Sequence, residues 1–423
     1  MRSSNAFKRR LCQPMFTISL ALWLCAASVH ADETDPSIFS FNGFGTLGVV
    51  HSSEGQADFV SSSLKPKGAG YSDDWSLAVD SLIAGQVTAN VTPKLTAVMQ
   101  VIAEQNYDDS YTPNTEWANI KYEFSSAFNA RIGRTVLPVF LVSDLRKVNY
   151  VNAWVRPPVE LYGLVPVSTI DGIDLNYRFR VGDVSNNIKA IYGNSQNQLP
   201  DSAGGGTVTV NDQLGIVYDG EYHALTVHLA YVRSEDLTLQ SVEPLFDALR
   251  QFGPQGIAIA NKYDPNDTPL SFIGIGGTYN PGPWFLTSEW GTTRSNSLIG
   301  KRSAWYVTAG YRVGKFTPYL TFAETTANEL SDRELTISAL PPFLAGPGEA
   351  INAALAENLG PLPDQQTISA GIRWDFMDNV CLTVQFNHAD IGSDSDGTLG
   401  NIQPGFEPGG SFNVFSASVD FVF

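Results

Sequence analysis

The chain has few cysteines, few basic residues, few histidines and no long apolar run beyond its N-terminus. Of its three cysteines, Cys12, Cys25 and Cys381, the first two fall inside a leader-like segment. There Lys8, Arg9 and Arg10 precede a short apolar stretch from Met15 to Ala27. Val29-His30-Ala31 then sets small residues at the −3 and −1 positions. This is the pattern of a secretory signal peptide cleaved after Ala31. Cys381 is then left alone, which excludes an intramolecular disulfide. Basic residues number 26 against 43 acidic ones, for a formal net charge of −17. Loss of residues 1–31 removes Arg2, Lys8, Arg9 and Arg10 and no acid, so the charge falls to −21. Such an acidic chain is a poor ligand for nucleic acid. No run of 18 apolar residues follows residue 31, which excludes a spanning helix. The four histidines beyond the leader, His51, His223, His228 and His388, are scattered, and no nucleophile elbow accompanies them. No catalytic set of Ser/His or Asp/His type emerges.

What is present is alternation. From Phe415 to Phe423 the odd positions are Phe, Ala, Val, Phe and Phe, while Ser416, Ser418 and Asp420 take the other face. Period two over nine residues is a strand with one apolar and one polar side. A first strand spans about 38–50. Its Gly43–Gly48 stretch reads GxGxxG, but no βαβ unit follows, so a nucleotide site is not indicated. Further strands are expected near 76–92, 94–105, 115–124, 127–136, 169–181, 186–193, 209–219, 222–234, 270–280, 283–294, 302–312, 315–326, 365–376, 379–389 and 411–423. The total is sixteen, an even count that returns both ends to one side. Short linkers alternate with longer ones. The short class includes Thr92-Pro93-Lys94, Asp219-Gly220-Glu221 and Met377-Asp378-Asn379. The longer class includes about 51–75, 136–168, 194–208, 235–269, 327–364 and 390–410. Aromatic residues such as Phe124, Phe128, Tyr177, Tyr279, Trp284 and Trp374 gather beside the short linkers, as a membrane–water interface selects. These features together specify an all-β fold: a 16-stranded antiparallel transmembrane β-barrel with short periplasmic turns, long extracellular loops and an inward-folded third loop. Residues 32–423 form one barrel domain on this reading. Helical patterns at Glu243–Phe252 and Glu349–Leu359 read as surface lids or packing elements.

The stretch 136–168 is too long for a turn and too apolar for a solvated loop. Leu137, Phe140, Trp154, Leu161 and Tyr162 need a surface, which the lumen of a barrel would offer. Its charged residues are Asp144, Arg146, Lys147, Arg156 and Glu160. On the flanking strands a charge facing lipid at mid-membrane would cost about 2–4 kcal/mol. Lys121, Arg131, Asp174, Arg178, Arg180 and Arg373 are therefore expected to face inward and line a channel, with Lys189 beside them. The basic members either hydrate the lumen by pairing with Asp174, Glu123 and Asp375 or set its ion preference.

The leader, the terminal Phe strand, the sixteen amphipathic strands and the long insertion after the fifth strand together resemble the general bacterial outer-membrane porin family. The resemblance covers essentially the whole chain beyond the leader. It implies a water-filled channel for passive diffusion of small hydrophilic solutes and ions, narrowed where the third loop faces basic wall residues. It further implies a homotrimer in contact with membrane lipid and lipopolysaccharide, and no cofactor. The acidic PEFGG-like run of the best-known members is absent. The segment SDLRKVNYVNAWVRPPVELYG instead looks like a less-characterised branch of porin-like proteins. A substrate-specific or gated channel is an alternative, with Trp154 and the inner loop's charged groups as ligand contacts. A barrel enzyme or an adhesin closed by its loops is a weaker one. Gly392-Ser-Asp394-Ser-Asp396-Gly397 partly resembles a calcium loop. Its first position is Gly and its twelfth is Gln403, so it reads as an acidic surface loop rather than a metal site.

Overall fold

Two-residue periodicity along the chain becomes a wall with two chemical faces. The computed structural model describes residues 38–328, 330–358 and 362–423. The leader and its cleavage point lie outside them. Sixteen long strands form the wall: β1 (Phe39–Ser52), β2 (Leu82–Thr92), β3 (Leu95–Glu104), β4 (Asn114–Glu123), β5 (Phe128–Val136), β6 (Thr169–Val181), β7 (Val184–Gln198) and β8 (Thr207–Tyr222). The second half continues with β9 (Leu225–Ser234), β10 (Leu270–Tyr279), β11 (Trp284–Ser295), β12 (Lys301–Tyr311), β13 (Phe316–Ala327), β14 (Gln365–Met377), β15 (Val380–Ile391) and β16 (Ser411–Val422). Every neighbouring pair is antiparallel, and β1 pairs with both β2 and β16. The register of the closing seam runs from Phe44 opposite Val422 to Ser52 opposite Val414. The sheet is thus a closed 16-stranded barrel, which leaves no edge unpaired.

Outward positions are large and apolar: Ile132, Leu175, Ile216, Ile275, Leu320 and Ile368 are all exposed. Inward neighbours one residue away are polar and buried, among them Asp174, Thr321, Ser369 and Thr367. Rings beside the short turns pair across strands. Phe124 and Phe128 stack at 5.2 Å, Tyr279 and Trp284 lie 5.3 Å apart, and Phe316 and Trp374 stack at 5.8 Å. Gly43 and Gly45, two of the three glycines of the GxGxxG run, have a packing role. A Cβ at Gly43 would sit 2.2 Å from the Phe423 ring, and one at Gly45 would sit 2.4 Å from Phe421. The two glycines make a flat track for the last two aromatic residues across the seam.

Three local expectations change. The second strand starts at Leu82 rather than near residue 76, so the first long loop occupies 53–81. The turn expected at Asp219-Gly220-Glu221 falls instead at His223-Ala224, with His223 in the left-handed region at φ 53. Gly220 stays inside β8, paired with Asn186 and Val227, and the Tyr218 side chain lies over it, its hydroxyl 2.6 Å from where a Cβ would be. The loop expected over 194–208 shrinks to 199–206 as β7 and β8 lengthen.

Two of the long loops build a second core of their own. The helical pattern at 243–252 appears as α1 (Glu243–Leu249) and a single 3-10 turn, Arg250–Phe252. Gly253, at φ 72, then redirects the chain into α2 (Gly253–Tyr263). Pro254 in the first turn of α2 starts that helix rather than ending one. The pattern expected at 349–359 is α3 (Ala345–Asn358). Phe246, Leu249, Ile259, Tyr263 and Leu355 pack together with Leu335, apart from the barrel lumen.

Candidate functional site

Residues 137–168 leave the end of β5, fold into the lumen and return to β6. The large apolar residues of this inner loop settle on one side of the barrel, while Val148 packs on Ala84 and Ile102 and Val159 near Val50 and Phe412. Leu137, Val139, Phe140, Trp154, Leu161, Tyr162 and Leu164 are buried with Ile191, Val217, Val232, Phe272, Phe285 and Tyr306, which project inward from β7 to β12. The Phe140 ring lies 4.4 Å from Tyr162 and 5.3 Å, edge-on, from Phe272. Trp154 meets Tyr306 at 5.7 Å and 90° and donates its indole N–H to Thr308 Oγ1 at 3.0 Å. Backbone groups of the loop are held by wall side chains. Leu141 N–H donates to Glu289 Oε1 at 2.8 Å, and Val155 N–H to Gln385 Oε1 at 3.2 Å. His228 Nε2 lies 3.4 Å from Val139 O, with its Nδ1 2.7 Å from Asp219 Oδ1. Burial raises the pKa of the Tyr162 hydroxyl well above its usual value.

Charge holds the loop elsewhere. Arg156, 6% exposed, forms a bidentate pair with Asp80, one contact being Nε to Oδ1 at 2.7 Å, and donates to Ser416 Oγ at 2.8 Å. Lys147 reaches toward β3 and β4, with Nζ 2.5 Å from Glu104 Oε1 and 2.9 Å from Glu116 Oε2. Lys65 approaches the same Glu104 at 3.6 Å. Burial pulls the Lys147 pKa down, but Glu104 and Glu116 outweigh it and hold the pKa above the usual lysine value. Arg146 donates to Val165 O at 3.1 Å and Tyr162 O at 3.2 Å, and its guanidinium lies 5.5 Å from the Tyr162 ring. Glu160 is buried and accepts from Gln365 Nε2 at 3.0 Å.

A closed barrel with a charged loop laid across its lumen matches a known family along most of the chain. The Gram-negative porin family model covers residues 17–398. The chain belongs to the Gram-negative porin family. A comparison with curated proteins returned no match. Among solved structures, this porin is similar to OmpF of Salmonella typhi in complex with daunomycin, at 15% identity and TM-score 0.56, over 91% of this chain and 97% of that one. It is similar to the anion-selective porin from Comamonas acidovorans, at 12% identity and TM-score 0.54, over 91% and 99%. OmpT of Vibrio cholerae in its trimer form shares 12% identity at TM-score 0.50, over 92% and 100%. At these identities the likeness concerns the fold. Family and fold together make the protein a non-enzymatic channel of the outer membrane.

Within the porin, the charged residues singled out from sequence fall into separate groups. Lys121 Nζ lies 2.8 Å from Glu123, and Arg131 lies 2.6 Å from the fully buried Asp174. Lys121, Arg131 and Asp174 share one rung of the ladder across β4, β5 and β6. Arg178 and Arg180 are exposed and lie further along β6, beside the short turn into β7; Arg180 donates to Ser185 Oγ at 3.1 Å. Lys189 is buried and lies 3.9 Å from the inner loop's Asp144. Arg373 pairs with Asp375 at 2.7 Å but also donates to two carbonyls of the loop, Tyr150 O and, at 2.8 Å, Asn152 O. It acts as an anchor of the loop.

Four carboxylates that hold the loop were not singled out: Asp80, Glu104, Glu116 and Glu289. Strict alternation from Lys121 and Asn119 points Glu116 outward. A register shift between Gln100 and Val101 on β3 inserts an extra residue on β4, and Glu116 turns in to Lys147. Glu104 shares the inward parity of Gln100 and Ile102, so alternation could have found it. Among the described residues no cluster of His, Cys, Asp or Glu could hold a metal ion.

Proposed function

We propose that the porin conducts small hydrophilic solutes and ions by passive diffusion, and that the inner loop narrows the passage. The observation behind this reading is the loop's unequal attachment. Its large apolar residues pack on β7 to β12, whereas toward β3 and β4 it extends Lys147 to two glutamates. The water-filled path is then the polar side, along Lys121 and Arg131, with Asp174 buried beneath Arg131 and with Asp144, Arg146, Lys147, Arg156 and Glu160 setting the loop's charge. Arg178 and Arg180 carry positive charge to the periplasmic end of that path. Sixteen strands leave room for an aqueous channel. Local charge dominates in the narrow part because screening over about 8–10 Å hides the distant acidic loops. On the same reading residues 1–31 are removed on export. The barrel wall meets membrane lipid and lipopolysaccharide, and three copies assemble, as in the trimer form of the Vibrio cholerae OmpT.

Planar-bilayer recording tests this. Purified protein is expected to give discrete conductance steps. The double substitution Arg131→Glu with Arg178→Glu is expected to move the reversal potential toward cation preference. A protein without conductance steps sinks the channel reading. An unchanged reversal potential removes these two arginines from the field that ions feel.

A further inference from the structure

Strand register places one apolar rung on the otherwise polar side of the lumen. Val422 on β16 lies opposite Phe44 on β1, Phe44 opposite Ala84 on β2, and Ala84 opposite Ile102 on β3. Phe44, Ala84 and Ile102 are buried, whereas Ile83 and Met99, of the other parity, are exposed on the outside of the wall. Polar positions flank the rung. On the extracellular side the next inward residues are Asp420, Thr46, Leu82 and Glu104. On the periplasmic side they are Asn42, Gln86 and Gln100, and Gln100 Nε2 donates to Gln86 Oε1 at 2.9 Å.

The inner loop lies flush on this rung. Lys147 pairs with Glu104 at 2.5 Å, Asn149 donates to Thr46 Oγ1 at 3.2 Å, and Val148 between them packs on the cluster of Phe44, Ala84 and Ile102. A cavity ends on each side of the contact. The outer one, about 450 Å³, is bordered by Leu82, Ile102, Lys147 and Asn149 and reaches the long loops at Ser61 and Asn106. The inner one, about 410 Å³, is bordered by Gln86, Gln100, Val148 and Val422 and reaches the short turn at Asn379. Leu82, Val148 and Val422 are only half-buried, so the apolar layer meets both cavities at its edges. Lys121 lies opposite Thr96, nearer the short turns than Ile102. A solute entering from outside along the polar side therefore meets Val148 before it meets the basic wall.

We propose that Val148 and the rung of Phe44, Ala84 and Ile102 form an apolar barrier in the permeation path, which selects solutes by hydration rather than by sign of charge. To cross it, Val148 parts from the wall and the solute gives up water with no polar group to replace it, which is how an apolar constriction restricts flow. Weakly hydrated ions and solutes with an apolar edge are admitted ahead of strongly hydrated ones. Lys147 and Asn149 tether Val148 on either side, so the segment returns to the same contact. The inference rests on the reading of the protein as a conducting porin. It adds a criterion for passage and the residues that impose it.

Single-channel conductance in paired salts is the test: lithium against caesium chloride, and potassium fluoride against potassium iodide, each divided by the conductivity of the bulk solution. In the pair whose varied ion carries the current, the weakly hydrated member is expected to exceed its bulk share. Val148→Thr keeps the side chain's shape and exchanges a methyl for a hydroxyl. It is expected to raise conductance in the strongly hydrated salt about fourfold, the scale of one buried methyl group, and to bring the ratio toward the bulk value. Ile102→Thr is expected to act in the same direction from the wall side. Ratios at the bulk value in the unsubstituted protein, or ratios unchanged in both variants, overturn this inference alone. So does a rise of equal size in every salt, which marks a loosened loop. A protein with no conductance steps overturns it together with the channel reading.

Discussion

The two sides of this lumen are built from the same alternating strands and are used in opposite ways. On β7 to β12 the inward positions include Ile191, Val217, Val232, Phe272, Phe285 and Tyr306, which are apolar or aromatic and buried under the inner loop. On β2 to β6 they are mostly polar, among them Gln86, Gln100, Asn119, Lys121, Arg131 and Asn176, with Ala84 and Ile102 as a small apolar spot under Val148 of the loop, and Lys147 and Ser168 of the loop reach glutamates there. Apolar inward residues in a porin wall are a liability if they face water. Here they make an adhesive surface that fixes the loop on one side. The difference teaches that the path is placed by which half of the wall is greasy, and that charge on the other half then acts across the remaining space.

Removing an adhesive or ionic anchor should break this asymmetry most severely. Arg156→Ala leaves Asp80, 5% exposed, as a buried carboxylate without its cation. Loss of one partner of a buried pair costs about 3–5 kcal/mol. A marked fall in the thermal or detergent unfolding midpoint is expected, along with noisy open-channel current as the loop loosens. A quiet channel of unchanged stability would show that the apolar contacts alone hold the loop. Leu161→Ala tests that apolar side directly. Leu161 is 0% exposed and packs in the loop–wall cluster, so its truncation is expected to cost about 3 kcal/mol. The loss should appear in the unfolding midpoint.

Lys147→Gln probes the polar side. Its side chain is 23% exposed and its partners are 20% and 12% exposed, so the loss in stability is expected to stay near 1 kcal/mol. Its effect on conduction should be larger than its effect on folding. Two glutamates lose their shared cation, and the reversal potential is expected to shift toward cations, read in bilayers under a salt gradient. If Lys147→Gln destabilised the protein as much as Leu161→Ala, the two sides would hold the loop equally firmly.

The asymmetry was only half legible in the residue order. Period two, the rhythm of short and long linkers and the aromatic residues beside the turns are local features, and the barrel follows from them. Leu137, Phe140, Trp154 and Leu161 could be read as needing a surface, because a loop with that content has nowhere to go in water. Which wall they chose could not be read, since Trp154 finds Thr308 and Tyr306 about half the barrel away. The ionic anchors were hidden for different reasons. Asp80 lies 76 residues from Arg156 in the chain, in a loop with no periodicity to orient it. Glu116 is turned inward by a register shift that alternation cannot foresee. Asp219-Gly220 imitates a tight turn in composition while lying within a continuous strand.

The outer loops allow the gentlest test of whether the polar side is held from above as well as from within. Lys67 in the first long loop lies 2.6 Å from Asp109 in the second, which also accepts from Gln105 Nε2 at 2.9 Å. The hydrogen bond from Lys67, followed by that from Gln105, holds the Asp109 pKa below the usual carboxylate range. The same bond to Asp109 holds the Lys67 pKa above its usual value. For the acid, the depressed folded value means that its contribution is present above the unfolded pKa of about 4 and is lost as pH falls through the folded one. For the base, the contribution is present below about pH 10 and is lost as pH rises through the raised folded value. The link between the two loops should therefore hold across neutral pH and fail at both ends. Both groups are largely exposed, so global unfolding should barely register it. Hydrogen exchange at residues 106–112 is the sensitive measurement. Protection there is expected to be flat near neutrality and to fall on acidification, and Asp109→Asn is expected to show the acid pattern already at pH 7. A variant with unaltered protection would show that the loops need no such link, and the inner loop's own contacts would be the sole support of the polar side.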